Sequence, residues 1–376
     1  MRTTRNTFGL LVLMATCTWC QPPAGNKLTA IDALTAGYVK TGKAPGLAVG
    51  VMHKGKVIFA KGYGLANVDL DVPVTPNTVF KINSMTKQFT AAAIMLLAER
   101  GLLRTDDSLS KFLPDFPRAS EITVKQLLTH TSGLSSFGGK PDVMVFSSQQ
   151  HSITEAIEWI HDDPFASDPG TMWNYSNSGF LLLTGIIEKA SGQPYSLFMQ
   201  KNIFEKLGLA QTAIDDPLQI VPHRAAGYTP VEGTPGTVRN RPSRIFNGGG
   251  GVSGISTVGD LLRWHDALFN GRILTPASLR EMTTPARFNN GKPAIATSST
   301  VLPGAQYGYG LHLAETKGHS KIGHTGTGGG FHSMIMTYPS DHYTVVVLLN
   351  INARPFLAGQ IESAIADILL GGVASR

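Results

Sequence analysis

Cysteine is almost missing from this chain. The two that occur, Cys17 and Cys20, sit near the very start of 376 residues. Beyond them no disulfide, thiol nucleophile or cysteine-based metal site is available. Charge is also scarce. Asp, Glu, Lys and Arg make up 15% of the chain, and 32 basic against 26 acidic residues leave a formal +6. No dense Lys/Arg run occurs, so the electrostatic footprint of a nucleic-acid binder is absent. No apolar run is long enough to span a bilayer. There is no H-E-x-x-H and no dinucleotide glycine fingerprint, so neither a metal nor an organic cofactor is implied. A G-x-S-x-G nucleophile elbow is missing too. Ser253 follows Gly251 at the right distance, but Ile255 stands where the second glycine is needed.

What is present begins with an export-type leader over residues 1–25. Arg2 and Arg5 precede a short apolar run, 8–15, and Gln21-Pro22-Pro23-Ala24-Gly25 then breaks the pattern. Cleavage near Ala24 yields a periplasmic or secreted protein without thiols. Two alternatives stay open. One is a buried N-terminal helix. The other is a lipid anchor on Cys17 or Cys20, although the residues before each fit a lipoprotein cleavage box poorly. The hydrophobic fraction of 42% provides for a sizeable core in one large domain or two interlocked ones.

Periodicity predicts an amphipathic helix over 27–41, ended by Gly42. Strands follow over 46–53 and 56–63, around a hairpin signal at Lys54-Gly55. From Ser84 the texture turns helical, with helices expected over 84–100, 123–131, 154–161, 179–190 and 197–207. Asn247-Gly248-Gly249-Gly250-Gly251 reads as a flexible turn. Thr257 opens one more helix, with Asp260 as its capping partner. Strands return over 307–314, 321–325, 331–338 and 343–350, and a helix over 355–370 closes the chain. The fold class expected is α/β of the α+β kind. An antiparallel sheet built from 26–83 and 285–376 is flanked by N- and C-terminal helices, and an all-helical domain over 84–284 is inserted.

Ser84-Met85-Thr86-Lys87 opens a helix that is apolar nearly all round and therefore expected to be buried. Residues three apart on a helix share a face, so a lysine there can take a proton from a serine. A helix N-terminus adds N–H groups and a positive dipole end for a developing oxyanion. The plainer reading is a serine cap and a solvated lysine. A second S-x-x-K, Ser108-Leu109-Ser110-Lys111, opens no apolar helix and is set aside. Tyr175-Ser176-Asn177 sits in a turn feeding the 179–190 helix, and offers a phenol and an amide that both donates and accepts. The plainer reading there is an aromatic turn with Asn177 or Ser178 as helix cap. His324-Thr325-Gly326-Thr327 precedes Gly328-Gly329-Gly330 at a strand end, where glycine allows close backbone approach. Lys40-Thr41-Gly42 is better explained as a helix end.

Taken in order, Ser84-Met85-Thr86-Lys87, Tyr175-Ser176-Asn177 and His324-Thr325-Gly326 resemble the S-x-x-K, S-D-N and K-T-G signature of the serine β-lactamase and penicillin-recognising superfamily. Tyr-Ser-Asn looks like the class C branch. His-Thr-Gly looks like the secreted D-alanyl-D-alanine carboxypeptidases and esterases of that branch. Leu127-Leu128-Thr129-His130-Thr131-Ser132-Gly133-Leu134 is similar to it as well. The resemblance implies that Ser84 is acylated and that Lys87 and Tyr175 share proton transfer. Asn177 would hold the acyl side of the substrate, and the N–H groups of Ser84 and Thr327 would form the oxyanion hole. His324, Thr325 and Gly326 would bind substrate, with His324 as a weaker, pH-dependent replacement for a permanent cation. The substrates implied are small esters, β-lactams or cell-wall peptides. A non-hydrolysing penicillin sensor or a scaffold of the same fold are the other function classes.

Overall fold

The computed structural model describes residues 24–216, 218–234, 238–240, 249–296, 302, 304–352 and 356–371. The expected leader as far as residue 23, both cysteines, Asn247 and Gly248 lie outside them. Helix α1 (Ala24–Lys40) leads into strands β1 (Gly46–His53) and β2 (Lys56–Asn67). Lys54 and Gly55 between them are both left-handed, as a tight two-residue hairpin requires. Strands β3 (Val72–Pro73) and β4 (Phe80–Asn83) precede α2 (Thr86–Glu99). A mainly helical region follows, with α3 (Val124–Leu128), α4 (Val143–Phe146), α5 (Ile153–Trp159), α6 (Asn177–Ser191) and α7 (Tyr195–Met199). Short strands β5 (Ala213–Ile214), β6 (Tyr228–Pro230), β7 (Val238–Asn240) and β8 (Gly254–Ser256) lie before α8 (Val258–Phe269) and α9 (Pro276–Met282). The chain then runs through β9 (Gln306–Tyr307), β10 (His312–Thr316), β11 (His319–Gly328), β12 (Phe331–Tyr338) and β13 (Tyr343–Leu349) into α10 (Leu357–Leu370).

Eight of the described strands form one antiparallel sheet in the order β3-β2-β1-β13-β12-β11-β10-β9. Its central strands come from opposite ends of the sequence, as the sequence pattern predicts. Strands β1, β12 and β13 are buried almost throughout because both faces are covered. Side chains alternate with period two. Leu47, Val49 and Val51 therefore meet one layer, with Ile31 of α1 and Ile361 and Ile365 of α10. Ala48, Met52, Val346 and Leu348 meet the other, with Leu261 and Leu262 of α8. Gly50 is small because α8 crosses there: a Cβ would sit 2.9 Å from Leu262 Cδ1. Helices α2 and α6 pack together beyond α8, in the same core.

Three expectations need correction. The strand predicted over 307–314 is two strands, β9 and β10, because the chain reverses at 308–311. Gly308 N–H donates to the Leu311 carbonyl, and left-handed Gly310 lies so close to α2 that a Cβ would be 2.5 Å from the Lys87 carbonyl. The helix expected over 197–207 is the short α7 followed by a π-turn at Gln200–Phe204. Asp260 does not complete a capping box. Thr257 Oγ1 accepts from the Asp260 N–H, but the Asp260 carboxylate accepts from Gln211 N and Thr212 Oγ1 and pairs with Arg263.

One ion pair lies inside the terminal-helix layer. Lys321 of β11 reaches Glu362 of α10 at 3.1 Å, both are buried, and Tyr338 O–H donates to the same carboxylate. Removing one partner of a buried pair strands the other charge, so Glu362→Ala should cost about 3–5 kcal/mol. Urea unfolding measures it. A loss under about 1 kcal/mol, the range of exposed pairs, would show that the pair is solvated rather than enclosed.

Candidate active site

The apolar run after Ser84 buries α2 from Thr86 to Leu97. Its start is held by backbone and threonine bonds rather than by a serine cap. Asn83, left-handed at φ 47°, turns the chain out of β4. Thr86 Oγ1 donates to the Asn83 carbonyl at 2.6 Å and accepts from Gly254 N–H of β8 at 2.8 Å. The N-cap position falls on Met85, which has no side-chain cap bond. The Ser84 hydroxyl is thereby left for side-chain partners, and the simple capping role is excluded.

Those partners are Lys87 and Tyr175. Lys87 Nζ lies 3.3 Å from Ser84 Oγ, 2.7 Å from Asn177 Oδ1 and 2.8 Å from the Gly251 carbonyl. The side chain is fully buried, and the Tyr175 and Phe180 rings cover the amine at 4.8 and 5.2 Å from their centroids. Burial alone holds its pKa well below the ordinary lysine value. A neutral amine, the form that the lowered pKa favours, fits these partners. An amide oxygen and a backbone carbonyl only accept, so they take the two hydrogens of –NH₂. The lone pair then faces Ser84 Oγ, whose hydroxyl proton it can accept.

Tyr175 and Asn177 are placed by a long seam between residues 128–137 and 170–178. The Asn174 side-chain amide donates to the Leu134 carbonyl at 2.9 Å. Ser176 Oγ donates to the Ser135 carbonyl at 2.9 Å, and Asn177 N–H to Ser136 Oγ at 3.1 Å. Ser176, not Asn177 or Ser178, caps α6 by accepting from Gly179 N–H. The Asn177 side chain is therefore free to reach Lys87. Tyr175 hydrogen-bonds Ser84, which pulls its pKa down, but burial wins and raises it well above the usual phenol range. The phenol is neutral near pH 7 and able to donate.

The third motif lies on β11, whose pairing with β10 stops at Gly323 while pairing with β12 continues to Gly328. Its glycine serves the fold: a Cβ on Gly326 would meet the Ile82 carbonyl of β4 at 2.1 Å, so only glycine lets β11 lie against the strand that carries Ser84. Asn83 Nδ2 donates to the Gly328 carbonyl at 3.1 Å, and Ser333 Oγ to the Ile82 carbonyl at 2.8 Å, locking that approach. Thr325 is half-buried and Thr327 exposed along the same strand.

His324 does not supply the expected cation. Its ring is buried, with Nδ1 2.6 Å from the Thr325 carbonyl and Nε2 2.8 Å from the Tyr307 hydroxyl. A carbonyl only accepts, so Nδ1 carries the proton and Nε2 accepts from Tyr307. Burial, with His312 and Lys87 nearby, holds its pKa well below the ordinary histidine value. It is a neutral member of an aromatic wall, 6.5 Å from the Tyr175 ring and 4.8 Å from His312. The other cationic candidates near the motif are committed. Lys317 pairs with Asp367, His319 with Asp341 and Lys321 with Glu362. His312 is buried and held neutral, its pKa lowered to about 4.

The structure thus brings Ser84, Lys87, Tyr175 and Asn177 into one cluster, with β11 alongside. The discarded matches stay apart from it. Ser108 caps a 3₁₀ turn and Lys111 pairs with Asp107 at the surface. Gly42, left-handed at φ 70°, closes the end of α1, its N–H on the Val39 carbonyl. Sequence reasoning missed Gly251. The turn at Gly249–Gly251 is buried rather than flexible, since a Cβ on Gly250 would be 2.7 Å from Thr184 Oγ1. A run of glycines gives no sign of which carbonyl will face a lysine. Tyr307, the partner of His324, was equally silent. Among the described residues no group of three or more His, Cys, Asp or Glu is arranged to hold a metal, and no helix is long and apolar enough to cross a membrane.

Comparison with known proteins bears on the family and the fold. The chain is 28% identical over 336 residues to penicillin-binding protein 4* of Bacillus subtilis (strain 168), covering 84% of this chain and 70% of the relative. It is 28% identical over 344 residues to protein flp of Staphylococcus aureus (strain NCTC 8325 / PS 47), covering 90% of this chain and 66% of that one. The chain thus spans only about two thirds of these curated relatives. Among solved structures, the D-amino acid amidase of Ochrobactrum anthropi SV3 superposes with a TM-score of 0.76 at 26% identity, covering 92% of this chain and 97% of the amidase. The profile of one family, Beta-lactamase, matches residues 31–370, nearly the whole described chain. The chain belongs to the Beta-lactamase family and has the fold of its hydrolases.

Proposed function

We propose that this protein is a serine hydrolase that forms an acyl-enzyme on Ser84. The observation that carries the reading is the enclosed Lys87, its amine 3.3 Å from Ser84 Oγ and its pKa lowered by burial. Lys87 takes the serine proton as Oγ attacks the carbonyl. Tyr175, a neutral phenol bonded to Ser84, gives a proton to the leaving group and recovers one from the Lys87 ammonium, so the serine proton ends on the leaving group. The N–H groups of Ser84 and Thr327 hold the oxyanion, and losing one such donor typically costs about 3 kcal/mol. Asn177 holds the acyl side. The edge of β11 beyond Gly323 lacks a strand partner among those described, and offers backbone donors and acceptors to an extended substrate.

The neutral His324 and the committed lysines speak against firm capture of a free carboxylate, which a bidentate arginine would provide. We therefore expect clear activity on small activated esters, slow cleavage of a D-Ala-D-Ala peptide and weak β-lactam turnover. Comparing kcat/KM for the peptide and a p-nitrophenyl ester checks this. A peptide value well above the ester value would make the protein a true carboxypeptidase. Time-resolved mass spectrometry with a penicillin and with the ester tests the acyl-enzyme itself. Acylation without turnover on both would instead identify a sensor. The leader over 1–25 leads us to propose that the site works outside the cytoplasm.

A further inference from the structure

His130 adopts a left-handed backbone, φ 60°, which is uncommon for any residue but glycine and persists only where surroundings over-determine it. Its N–H donates to the Leu127 carbonyl, and its other two hydrogen bonds run to a single segment. The Asn174 N–H donates to the His130 carbonyl at 2.8 Å, and the Ser176 N–H donates to His130 Nδ1 at 3.1 Å. The residue between those two amides is Tyr175. The His130 ring also lies 4.3 Å from the Tyr175 ring, with Phe180 and Tyr307 at 5.2 and 4.8 Å on its other sides. It is buried, and Nε2 has no hydrogen-bond partner among the described residues. Nδ1 accepts an amide hydrogen, so the proton of the neutral ring must sit on Nε2. One side chain therefore grips the backbone after Tyr175 and walls its ring, while its own carbonyl grips the backbone before it.

We infer that His130 is a positioning residue that fixes the Tyr175 phenol against Ser84. The inference rests on the proton-transfer role proposed for Tyr175. Asparagine would keep the acceptor and tolerate the left-handed backbone but lack the ring face. Glycine would keep the backbone alone.

The test compares His130→Gly, His130→Asn, Tyr175→Phe and the His130→Gly/Tyr175→Phe double variant on a p-nitrophenyl ester. His130→Gly should lower kcat about 10²-fold, the scale of a misplacement near 1 Å, with KM little changed. His130→Asn should recover part of the loss. The double variant should be no slower than Tyr175→Phe alone by more than about 3-fold, since both changes remove one function. A wild-type kcat in His130→Gly, no recovery in His130→Asn, or fully multiplying losses would overturn the inference. Should the variants fail to fold, ¹⁵N NMR of histidine-labelled wild-type protein decides. Nε2 must be protonated and Nδ1 bare across the active pH range, and the opposite tautomer overturns the assignment. If Tyr175→Phe by itself keeps wild-type kcat, it is the function proposed for Tyr175 that falls. If that variant is impaired and His130→Gly is not, only the positioning role falls.

Discussion

Ser84→Ala is expected to abolish covalent labelling by a penicillin or a p-nitrophenyl ester, and to lower kcat on the order of 10⁶-fold, as loss of the nucleophile does in subtilisin. The fold should survive. Ser84 caps nothing, since the start of α2 is tied by Thr86 and by the Met85 and Lys87 backbone. The hydroxyl contributes a net hydrogen bond of about 1 kcal/mol at most. Intact-mass analysis after labelling, alongside a thermal melt, reads both halves. Uptake of label at the wild-type rate would mean that another residue is acylated.

Lys87 should be nearly as sensitive, and in a way that separates charge from basicity. Lys87→Ala removes the base and leaves Asn177 Oδ1 and the Gly251 carbonyl without their donor. Lys87→Arg keeps a cation that cannot give up its proton. If the neutral amine is what matters, both variants lose orders of magnitude in kcat, and arginine rescues nothing. Tyr175→Phe should also be severe, and its loss should not add to that of Lys87→Ala if the two serve one proton path as proposed. Strictly additive losses would show two independent roles. Lys111→Ala, from the discarded motif match, should be indistinguishable from wild type. The pH profile follows from the direction of the shift. A base must be unprotonated, so kcat/KM should fall on the acid side, through a Lys87 pKa well below the free value of about 10.4. The same shift affects stability. The native state binds fewer protons at Lys87 than the unfolded chain, so this contribution rises with pH from the folded pKa up to about 10.4, and is lost as pH falls through that window.

Much of this was legible in the sequence because it is local. The Lys54-Gly55 hairpin, the strand over 331–338 and the buried run of α2 follow from turn chemistry and composition over a few residues. So does the three-residue spacing that brings Lys87 to Ser84. What the sequence hid depends on approach between distant segments. Gly326 reads as a substrate-side glycine until β4 is seen against it. His324 reads as a titrating group until burial and Tyr307 fix its tautomer. Gly308 and Gly310 sit in a mostly apolar run, and only the crowding of Gly308 against α9 and of Gly310 against α2 shows why the chain reverses there. His130 was visible as part of a motif, but its grip on both flanks of Tyr175 is a property of the seam between two loops.

The sheet order also has a consequence in time. Strand β13 lies between β1 and β12, and Asn83, next to the nucleophile, is bonded to Gly328 across a separation of 245 residues. A ribosome-bound chain holds Ser84, Lys87 and Tyr175 long before it holds the strands that close around them. Contacts of such range form slowly, since loop-closure entropy must be met first. If Ser84 is the nucleophile proposed, it should stay chemically silent during synthesis and react only when the last strands slot into the middle of a sheet begun by the first. Labelling of stalled chains with an active-site ester should accordingly appear only after residue 349 has cleared the exit.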